Sequence, residues 1–302
     1  MLVYEGYFNL INHLDIIKPV AIYSIMKNPP AILGKIAEST LKRVEKAKES
    51  LPRDQARDQA LELAETDCKK LSLHDPVFPL PFERALSAPG LSFICEVKKA
   101  SPSKGVISED FPWMRIAKDY EEGGAAAISV LTEPEFFLGS HQYLREISAA
   151  VKIPTLRKDF IIDPYQLYEA KLWGAGAALL ICSLLEQETL NLFLTIAKTI
   201  ALDCLVEIHS EEEAKEAVDA GARIIGINNR DLTTFNVDTD LAARLGESIP
   251  EGILKVAESG INNTDDIKRL KDSRADGVLI GESLMRSNDR KKLLMSMIKS
   301  AG

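Results

Sequence analysis

Lysine and glutamate residues stand at the polar ends of short apolar runs in this chain, where they could form an acid–base site. The charged and amide side chains at these ends are Glu96, Lys98, Lys158, Glu207, Asn228 and Arg230. Alternate residues of a strand share a face, so Glu96 and Lys98 would point to the same side. A partly buried ion pair shifts pKa values, and a lysine whose pKa falls toward neutrality can act as a general acid.

Any one of these charges could instead lie on an outer rim in water. Their recurrence at the ends of successive runs favours a common pocket.

Glycine residues end the last two apolar runs, in Glu258-Ser259-Gly260 and in Gly281-Glu282. Backbone N–H groups of such turns, with the N-terminus of a short helix, bind phosphate in many barrels, and glycine lets the backbone approach the ligand. Ordinary strand-to-helix turns also use glycine. The position of both turns at the end of a repeating pattern favours a phosphate site.

A polar loop follows the first run and extends from Lys98 to Gly105, ahead of Asp110-Phe111-Pro112. Connections of this kind usually have about two to six residues, and this one is longer. Long loops beside a site often close over it. We therefore predict a lid, with a merely solvated loop as the alternative.

The elements that must position these residues follow one pattern, repeated eight times after Gly90: an apolar run, a polar or glycine ending, and a helical stretch. The runs are Leu91–Val97, Ala125–Leu131, Ile153–Phe160, Ala177–Cys182, Cys204–Ile208, Ile224–Ile227, Leu254–Ala257 and Gly277–Ile280. Nearly continuous apolar runs indicate strands buried on both faces, as in parallel sheets. Eight such units predict an α/β protein with a closed (β/α)8 TIM barrel, and a doubly wound open sheet is the alternative. Barrels of this type carry their sites at the carboxyl ends of the strands.

The helices between the runs have recognisable starts and ends. Asp163-Pro164 is typical of a helix N-cap followed by its first residue, and Ser210 with Glu213 has the spacing of a capping box before a helix that ends at Gly221.

The segment ahead of the barrel is predicted to be helical from Ile32 to about Leu71, with Pro52 dividing it into two helices. Prolines between Asp75 and Pro81 predict a connector. We predict one domain over residues 31–302, with covering helices and connector at 31–88 and the barrel at 89–302. Residues 1–30 form an N-terminal extension with no assigned role.

The composition argues against several classes of function. The chain has 37 Lys and Arg against 45 Asp and Glu, a net charge of −8, and a pI of about 5.3, so nucleic acid is not an expected partner. It lacks an apolar run of about 20 residues and a basic leader, so we expect neither a membrane span nor export. The four cysteines form no C-x-x-C pair and the four histidines lack metal-ligand spacing, which favours a reducing cytoplasm and no metal site.

Several strings of this chain resemble indole-3-glycerol phosphate synthase, an enzyme family of tryptophan biosynthesis. The resemblance spans about residues 31–302, and its strings are Phe93–Gly105, Leu131–Glu133, Leu156–Phe160, Val206–His209, Gly226–Leu232, Ala257–Ile261 and Ile280–Leu284. It implies closure of the indole ring of 1-(2-carboxyphenylamino)-1-deoxyribulose 5-phosphate, with loss of CO₂ and water. It also implies that no metal or organic cofactor takes part.

The resemblance further implies roles for individual residues. Lys158 would protonate the substrate ketone during ring closure, and Glu207 would stabilise charge nearby. Lys98 and Glu96 would supply the acid and the base of the dehydration. The implied substrate-binding residues are Asn228, Arg230, Phe160, Ser259, Glu258 and Ser101, and the implied phosphate-binding residues are Gly260, Gly281, Glu282 and Lys98.

Two positions depart from part of the family. Ala100 stands where some members carry lysine, so a cation near the phosphate would be missing. Glu282 stands where others carry serine; because a phosphate repels a carboxylate, we expect its side chain to point away and only its N–H to contribute. We expect no fused second barrel, a phosphoribosylanthranilate isomerase, of the kind that some relatives carry. The expected partners are a phosphorylated small molecule, a second copy in a weak homodimer if the protein is not a monomer, and other tryptophan-pathway enzymes.

Two other functions suit the same residues. Lys158 could form an imine, as in a Schiff-base aldolase, if its pKa were lowered, and trapping with borohydride would reveal this. A barrel that binds phosphorylated metabolites without catalysis is the second alternative, and it would bind substrate without turnover.

Overall fold

The computed structural model describes residue 27 and residues 31–70, 79–231, 234–270 and 274–302. The predicted extension at 1–30, except Lys27, lies outside the described residues, as does the predicted connector up to residue 78. Among the described helices, none is long and apolar enough to cross a membrane.

Within the described residues, eight parallel strands form a closed barrel, which confirms the predicted (β/α)8 architecture. The strands are β1 (Ser92–Val97), β4 (Ala127–Leu131), β5 (Thr155–Lys158), β6 (Ala177–Ile181), β7 (Asp203–Ile208), β8 (Ile224–Asn228), β9 (Leu254–Glu258) and β10 (Gly277–Ile280). Each strand pairs with the next along the chain, and β10 closes the ring by pairing with β1, with Ser92 opposite Gly277. A short antiparallel hairpin, β2 (Ala100–Ser101) with β3 (Gly105–Val106), follows β1.

The interior of the barrel is filled by aliphatic side chains below the carboxyl ends of the strands. Ile94, Leu156 and Leu205 are completely buried. Each lies two residues before a charged residue of the predicted site, so the same face of the strand carries an apolar residue below and a charged one above. The charged residues therefore form a layer directly above the aliphatic residues, at the carboxyl end of the barrel.

The described helices precede the barrel, connect its strands or follow the last strand. They are α1 (Ala31–Ser50), α2 (Arg53–Lys70), α3 (Pro81–Leu86), α4 (Trp113–Gly123), α5 (His141–Ala150), α6 (Pro164–Leu172), α7 (Gln187–Thr199), α8 (Glu211–Asp219), α9 (Leu241–Gly246), α10 (Thr264–Leu270), α11 (Glu282–Arg286) and α12 (Arg290–Ala301).

The predicted helix caps are confirmed in one case and corrected in the other. Asp163 and Gln166 form a reciprocal capping box at the start of α6, with Pro164 as the first helical residue. Ser210 caps α8 by accepting a hydrogen bond from the Glu213 N–H at 3.2 Å. The carboxylate of Glu213 accepts from the backbone N–H of His209 instead of Ser210, so the capping box predicted there is wrong by one residue.

The two N-terminal helices divide at Pro52, as predicted. Helix α1 has Leu33 and Ile36 almost completely buried, and both line the cavity at the carboxyl end of the barrel. The hydroxyl of Tyr165 in α6 donates a hydrogen bond to the carbonyl of Leu51 at 3.0 Å, which holds the turn between the two helices against the barrel wall.

Helix α3 begins at Pro81, where the sequence predicted the end of a connector. A proline suits the first turn of a helix because its missing N–H has no intrahelical partner there. Phe82 and Leu86 are buried, and Asp203 at the start of β7 accepts hydrogen bonds from the N–H groups of Phe82 at 3.1 Å and Glu83 at 3.0 Å. The helix therefore covers the amino end of the barrel, opposite the predicted site.

The segment after β1 is a hairpin and not an irregular loop. Ala100 pairs with Val106 and Ser101 with Gly105, and Ala100 is 4% exposed. The Ala100 N–H also donates to the carbonyl of Phe137 at 3.2 Å, which ties the hairpin to the loop after β4. A larger side chain at position 100 would have to leave this packed environment.

The contact of Asp203 with α3 predicts a stability effect that is separate from activity. Burial raises the pKa of Asp203 to about 7, although the N–H groups of Glu83 and Phe82 partly offset it, so a neutral acceptor suits the position. Asp203→Ala leaves two buried N–H groups without an acceptor and should lower the free energy of unfolding by roughly 1–3 kcal/mol. Urea unfolding followed by circular dichroism measures the change.

Asp203→Asn is the matched control, because both N–H groups donate to one oxygen that asparagine keeps. Equal urea midpoints for Asp203→Ala and the unaltered protein would contradict the role of this contact.

Candidate active site

A cavity of about 620 Å³ opens at the carboxyl end of the barrel. The predicted site residues that line it are Glu96, Lys98, Ser101, Lys158, Phe160, Glu207, Asn228, Arg230, Glu258, Ser259, Gly260, Gly281 and Glu282. They come from six of the eight barrel strands or from the turns that follow them. The structure therefore brings all the residues of the predicted site to one cavity.

Lys158 lies at the floor of the cavity between two carboxylates. It is the last residue of β5, and its Nζ lies 2.8 Å from Oε2 of Glu207 and 2.6 Å from Oε2 of Glu258. The Lys158 side chain is 13% exposed. A buried ammonium between two carboxylates is held in one position and one protonation state.

The charges around Lys158 correct the predicted direction of its pKa. Burial alone would lower it, but Glu207, Glu258 and Glu96 raise the pKa of Lys158 well above its ordinary value. The expectation of a lysine brought toward neutrality is wrong, because three carboxylates outweigh the loss of solvent.

The two carboxylates on Lys158 differ from each other. Burial would raise the pKa of Glu207, but Lys158 and His209 lower it, so Glu207 is held ionised. Burial raises the pKa of Glu258, and Lys158 offsets this only in part because Glu207 lies close by. Oε1 of Glu258 is buried without a hydrogen-bond partner among the described residues. Two carboxylates that share one ammonium thus have pKa values displaced in opposite directions.

Glu207 joins Lys158 to the rim of the cavity. Its Oε1 accepts a hydrogen bond from Nδ2 of Asn228 at 3.1 Å, and Oδ1 of Asn228 accepts from the backbone N–H of Arg230 at 3.1 Å. Nε2 of His209 lies 3.6 Å from the same oxygen of Glu207. One chain of polar contacts therefore extends from the ammonium of Lys158 to the backbone N–H of Arg230 at the rim.

A second ion pair, between Lys98 and Glu96, lies in the same cavity. The two residues share a face at the end of β1, as predicted, and Ser129 of β4 donates to Glu96 at 3.5 Å. A Cβ at Gly281 would lie 2.6 Å from Oε1 of Glu96 and 3.2 Å from Nζ of Lys98. Glycine at 281 thus leaves the space that this ion pair fills.

Glycine also makes room for Glu258. A Cβ at Gly226, in the middle of β8, would collide with Oε1 of Glu258 on the neighbouring strand. The sequence analysis did not use Gly226, although a glycine inside a strand often marks a close approach.

The turn after β9 has two consecutive residues with positive φ. Ser259 has φ +66° and Gly260 has φ +81°, and turns of this kind can present backbone N–H groups to an anion. Asn229 holds the turn, since its Nδ2 donates to the Ser259 carbonyl at 3.0 Å and its Oδ1 accepts from the Ala242 N–H at 3.1 Å. A non-glycine residue at positive φ is strained and needs such support.

The turn after β10 leads directly into α11, with Gly281 as its N-cap. The first N–H groups of a helix have no partner within it, so they can face an anion. The side chain of Glu282 is engaged elsewhere: its Oε1 accepts from Nε of Arg286 at 3.1 Å and lies 3.8 Å from Nζ of Lys104.

The remaining walls of the cavity are an arginine rim and an apolar side. Arg230 is half-buried and its Nη1 donates to the Phe235 carbonyl at 3.2 Å. The ring of Phe160 packs 5.9 Å from that of Phe137, tilted by 39°. The apolar lining outside the predicted set includes Ile32, Leu33, Ile36, Leu131 and Phe137. A planar apolar group thus has a surface to lie on beside a guanidinium.

The arrangement is suited to proton transfer and anion binding. In the part of the chain that the structure describes, no group of three or more His, Cys, Asp or Glu side chains is placed to hold a metal ion. Cys95, Cys182 and Cys204 are buried free thiols, and burial raises the pKa of each.

The fold and the site define a (β/α)8-barrel enzyme with two lysine–carboxylate pairs in a cavity at the carboxyl end. The family model described as indole-3-glycerol phosphate synthase matches residues 33–297. The chain belongs to this family.

Individual relatives agree with this assignment. An indole-3-glycerol phosphate synthase of Ruminiclostridium cellulolyticum is 53% identical over 258 residues, which cover 85% of this chain and 95% of that protein. One of Lachnoclostridium phytofermentans is 48% identical over 269 residues, covering 89% and 99%. The solved structure of a 3-hexulose-6-phosphate synthase matches with a TM-score of 0.58 at 12% identity, covering 70% of this chain and 100% of that one, and supports the fold alone.

The charges around Lys158 predict how its titration responds to a substitution. Lys158 should remain protonated above pH 10.5, the ordinary lysine value, and Glu258→Gln should move its titration to lower pH because one of the three carboxylates that raise its pKa is lost. The Nζ signal of ¹⁵N-lysine-labelled protein, assigned with Lys158→Arg, measures this by NMR. The same midpoint in both proteins would contradict the proposed coupling.

Proposed function

We propose that the two lysine–carboxylate pairs divide the proton transfers of the indole-3-glycerol phosphate synthase reaction between them. The substrate is 1-(2-carboxyphenylamino)-1-deoxyribulose 5-phosphate, and its conversion closes the indole ring with loss of CO₂ and water. The observation that carries the proposal is the position of Lys158, fixed between Glu207 and Glu258 in a cavity that the Ser259-Gly260 turn also lines.

Ring closure requires a proton at the substrate ketone while an aromatic carbon attacks it. Lys158 supplies that proton. Because the neighbouring carboxylates raise its pKa, the amine is fully protonated at neutral pH, and an alkoxide is still a strong enough base to take the proton. As the aromatic carbon attacks, positive charge develops on the ring nitrogen, and the ionised Glu207 stabilises it. Loss of CO₂ then restores the aromatic ring.

The dehydration requires an acid for the departing hydroxyl and a base for the proton on nitrogen. The Lys98–Glu96 pair provides both, since an ion pair contains a protonated acid and a deprotonated base at the same pH. The two groups lie side by side, so one ion pair both takes the proton from nitrogen, through Glu96, and gives a proton to the hydroxyl, through Lys98.

The substrate is oriented by its two anionic ends. Arg230 and Asn228 bind the anthranilate carboxylate, for which a planar guanidinium is suited. Phe160 packs against the aromatic ring. The phosphate lies at the turns of Ser259-Gly260 and Gly281.

Three further residues complete this binding. Lys98 adds positive charge near the phosphate, and Glu282 contributes only its N–H because Arg286 and Lys104 engage its carboxylate. Ser101 of the hairpin binds the substrate from the mouth of the cavity. We propose that this chemistry takes place in the cytoplasm in a monomer or weak homodimer.

The charge state of Lys158 argues against an imine mechanism. A Schiff base needs an unprotonated amine, and the three carboxylates around Lys158 favour the ammonium. Borohydride with the carbonyl substrate should therefore leave no adduct on Lys158, as judged by mass spectrometry.

Removing the acid should abolish ring closure. Lys158→Ala is expected to lower kcat by roughly 10²–10⁴-fold, because general acid catalysis contributes about that much. The assay follows the fluorescence of the indole product, and the variant should still bind that product in a titration. Lys268→Ala is the matched control, since Lys268 lies exposed on α10 in an ion pair with Asp265. Turnover of Lys158→Ala near that of the control would contradict the proposed acid.

Neutralising Glu207 tests charge stabilisation separately from binding. Glu207→Gln keeps the size of the side chain and should lower kcat by roughly 10–100-fold, with a smaller change in KM. A fall in affinity with kcat unchanged would instead assign Glu207 to ground-state binding.

A further inference from the structure

We propose that Arg43 of α1 and Asp159 form a clamp through which the N-terminal helix positions Lys158 and Phe160. This inference rests on the proposed function, because it concerns the placement of the proposed acid. Asp159 is a positioning residue in this account, and it acts through its neighbours in the chain.

Asp159 is the centre of a buried hydrogen-bond cluster. Its Oδ1 accepts from Nη2 of Arg43 at 2.9 Å and from the Phe160 N–H at 2.9 Å. Its Oδ2 accepts from Nη1 of Arg43 at 3.0 Å, from the Thr132 hydroxyl at 2.6 Å and from Nη2 of Arg157 at 3.0 Å. The carboxylate is completely buried, so every one of these bonds is made away from solvent.

Arg43 offsets negative charge in this cluster that Arg157 does not offset alone. Arg157 is almost completely buried and divides its guanidinium between Asp159 and Glu169, whose Oε2 lies 3.1 Å from Nη1. It also lies 4.3 Å above the ring of Trp173, which fixes its plane. Three carboxylates, of Asp159, Glu133 and Glu169, act on Arg43, so its removal would leave buried negative charge uncompensated.

The protonation of Asp159 follows from the same contacts. Burial would raise its pKa, but Arg43 and Arg157 hold it well below the ordinary range, so the carboxyl is ionised at neutral pH. The bidentate geometry of Arg43 makes the contact directional as well as strong.

The position of Asp159 in the chain connects this cluster to the site. It stands between Lys158 and Phe160, which both line the cavity, and its Oδ1 fixes the N–H that leads into Phe160. Consecutive Cα atoms are about 3.8 Å apart, so the clamp holds the backbone within one residue of each.

Arg43, the other half of the clamp, lies on a helix that also lines the cavity. Helix α1 places Leu33 and Ile36 in the apolar wall, two to three turns before Arg43. This ion pair therefore links the helix that carries part of the apolar wall to the residue next to the ammonium that would protonate the ketone. A displacement of about 1 Å in such a site can cost about 10²-fold in rate.

A second ion pair of the same helix offers a matched control. Nζ of Lys48 lies 2.8 Å from Oδ2 of Asp163, at the start of α6, and it also joins α1 to the barrel. Neither residue lines the cavity. Arg43→Met and Lys48→Met therefore each remove one link between α1 and the barrel, but only the first should affect the site.

The test compares these two variants by turnover at a temperature where circular dichroism shows both folded. Arg43→Met should lower kcat about tenfold or more with a smaller change in KM, Lys48→Met should stay within about twofold of the unaltered protein, and Arg43→Lys should recover part of the loss because one of its two bonds can re-form. Equal kcat in Arg43→Met and Lys48→Met would overturn the clamp.

An NMR measurement keeps this test independent of the reaction. The Nζ signal of Lys158 should shift in Arg43→Met and not in Lys48→Met, and an unshifted signal in Arg43→Met overturns the clamp whatever the turnover. Lack of turnover by the unaltered protein would count against the proposed function alone.

Discussion

The structure depends on the need to balance one buried ammonium. Lys158 lies below the cavity mouth, where a lone cation would be costly, and the barrel brings carboxylates from β7 and β9 to it. Because the ends of all barrel strands meet in one layer, residues distant in the chain can share one charge. The same balance sets the pKa values of Lys158, Glu207 and Glu258, which fixes which groups hold protons before substrate arrives.

Much of this layer could be predicted from the sequence, because two rules apply at once. Buried parallel strands read as apolar runs, and alternate residues of each run share a face, so Glu96 with Lys98 and Asn228 with Arg230 were correctly placed together. The direction of the Lys158 pKa could not be predicted, since it depends on how many carboxylates converge on it. The number of carboxylates close to Lys158 can be found only from the distances between strands.

Other contacts left no signal in the sequence. Asp159 follows Lys158, so strand alternation turns it away from the lumen, and its partner Arg43 lies 116 residues earlier on a separate helix. Gly226 and Gly281 each leave room for a carboxylate, and a glycine alone does not indicate which side chain approaches it. Predicting these features would require knowing which side chains approach which backbone. The short helix α3 was missed because prolines before it indicated only a connector.

Helix α3 closes the amino end of the barrel, so the barrel, as far as the structure describes it, is accessible only from its carboxyl end. Phe82 and Leu86 close the amino end, and layers of aliphatic side chains such as Ile94 and Leu156 fill the interior above them. CO₂, water and the indole product would therefore all leave through the opening by which the substrate entered. With the phosphate bound as proposed, the order of release follows from size and anchoring. CO₂ and water could leave while the phosphate stays bound, whereas the product would have to release it before the next substrate could enter.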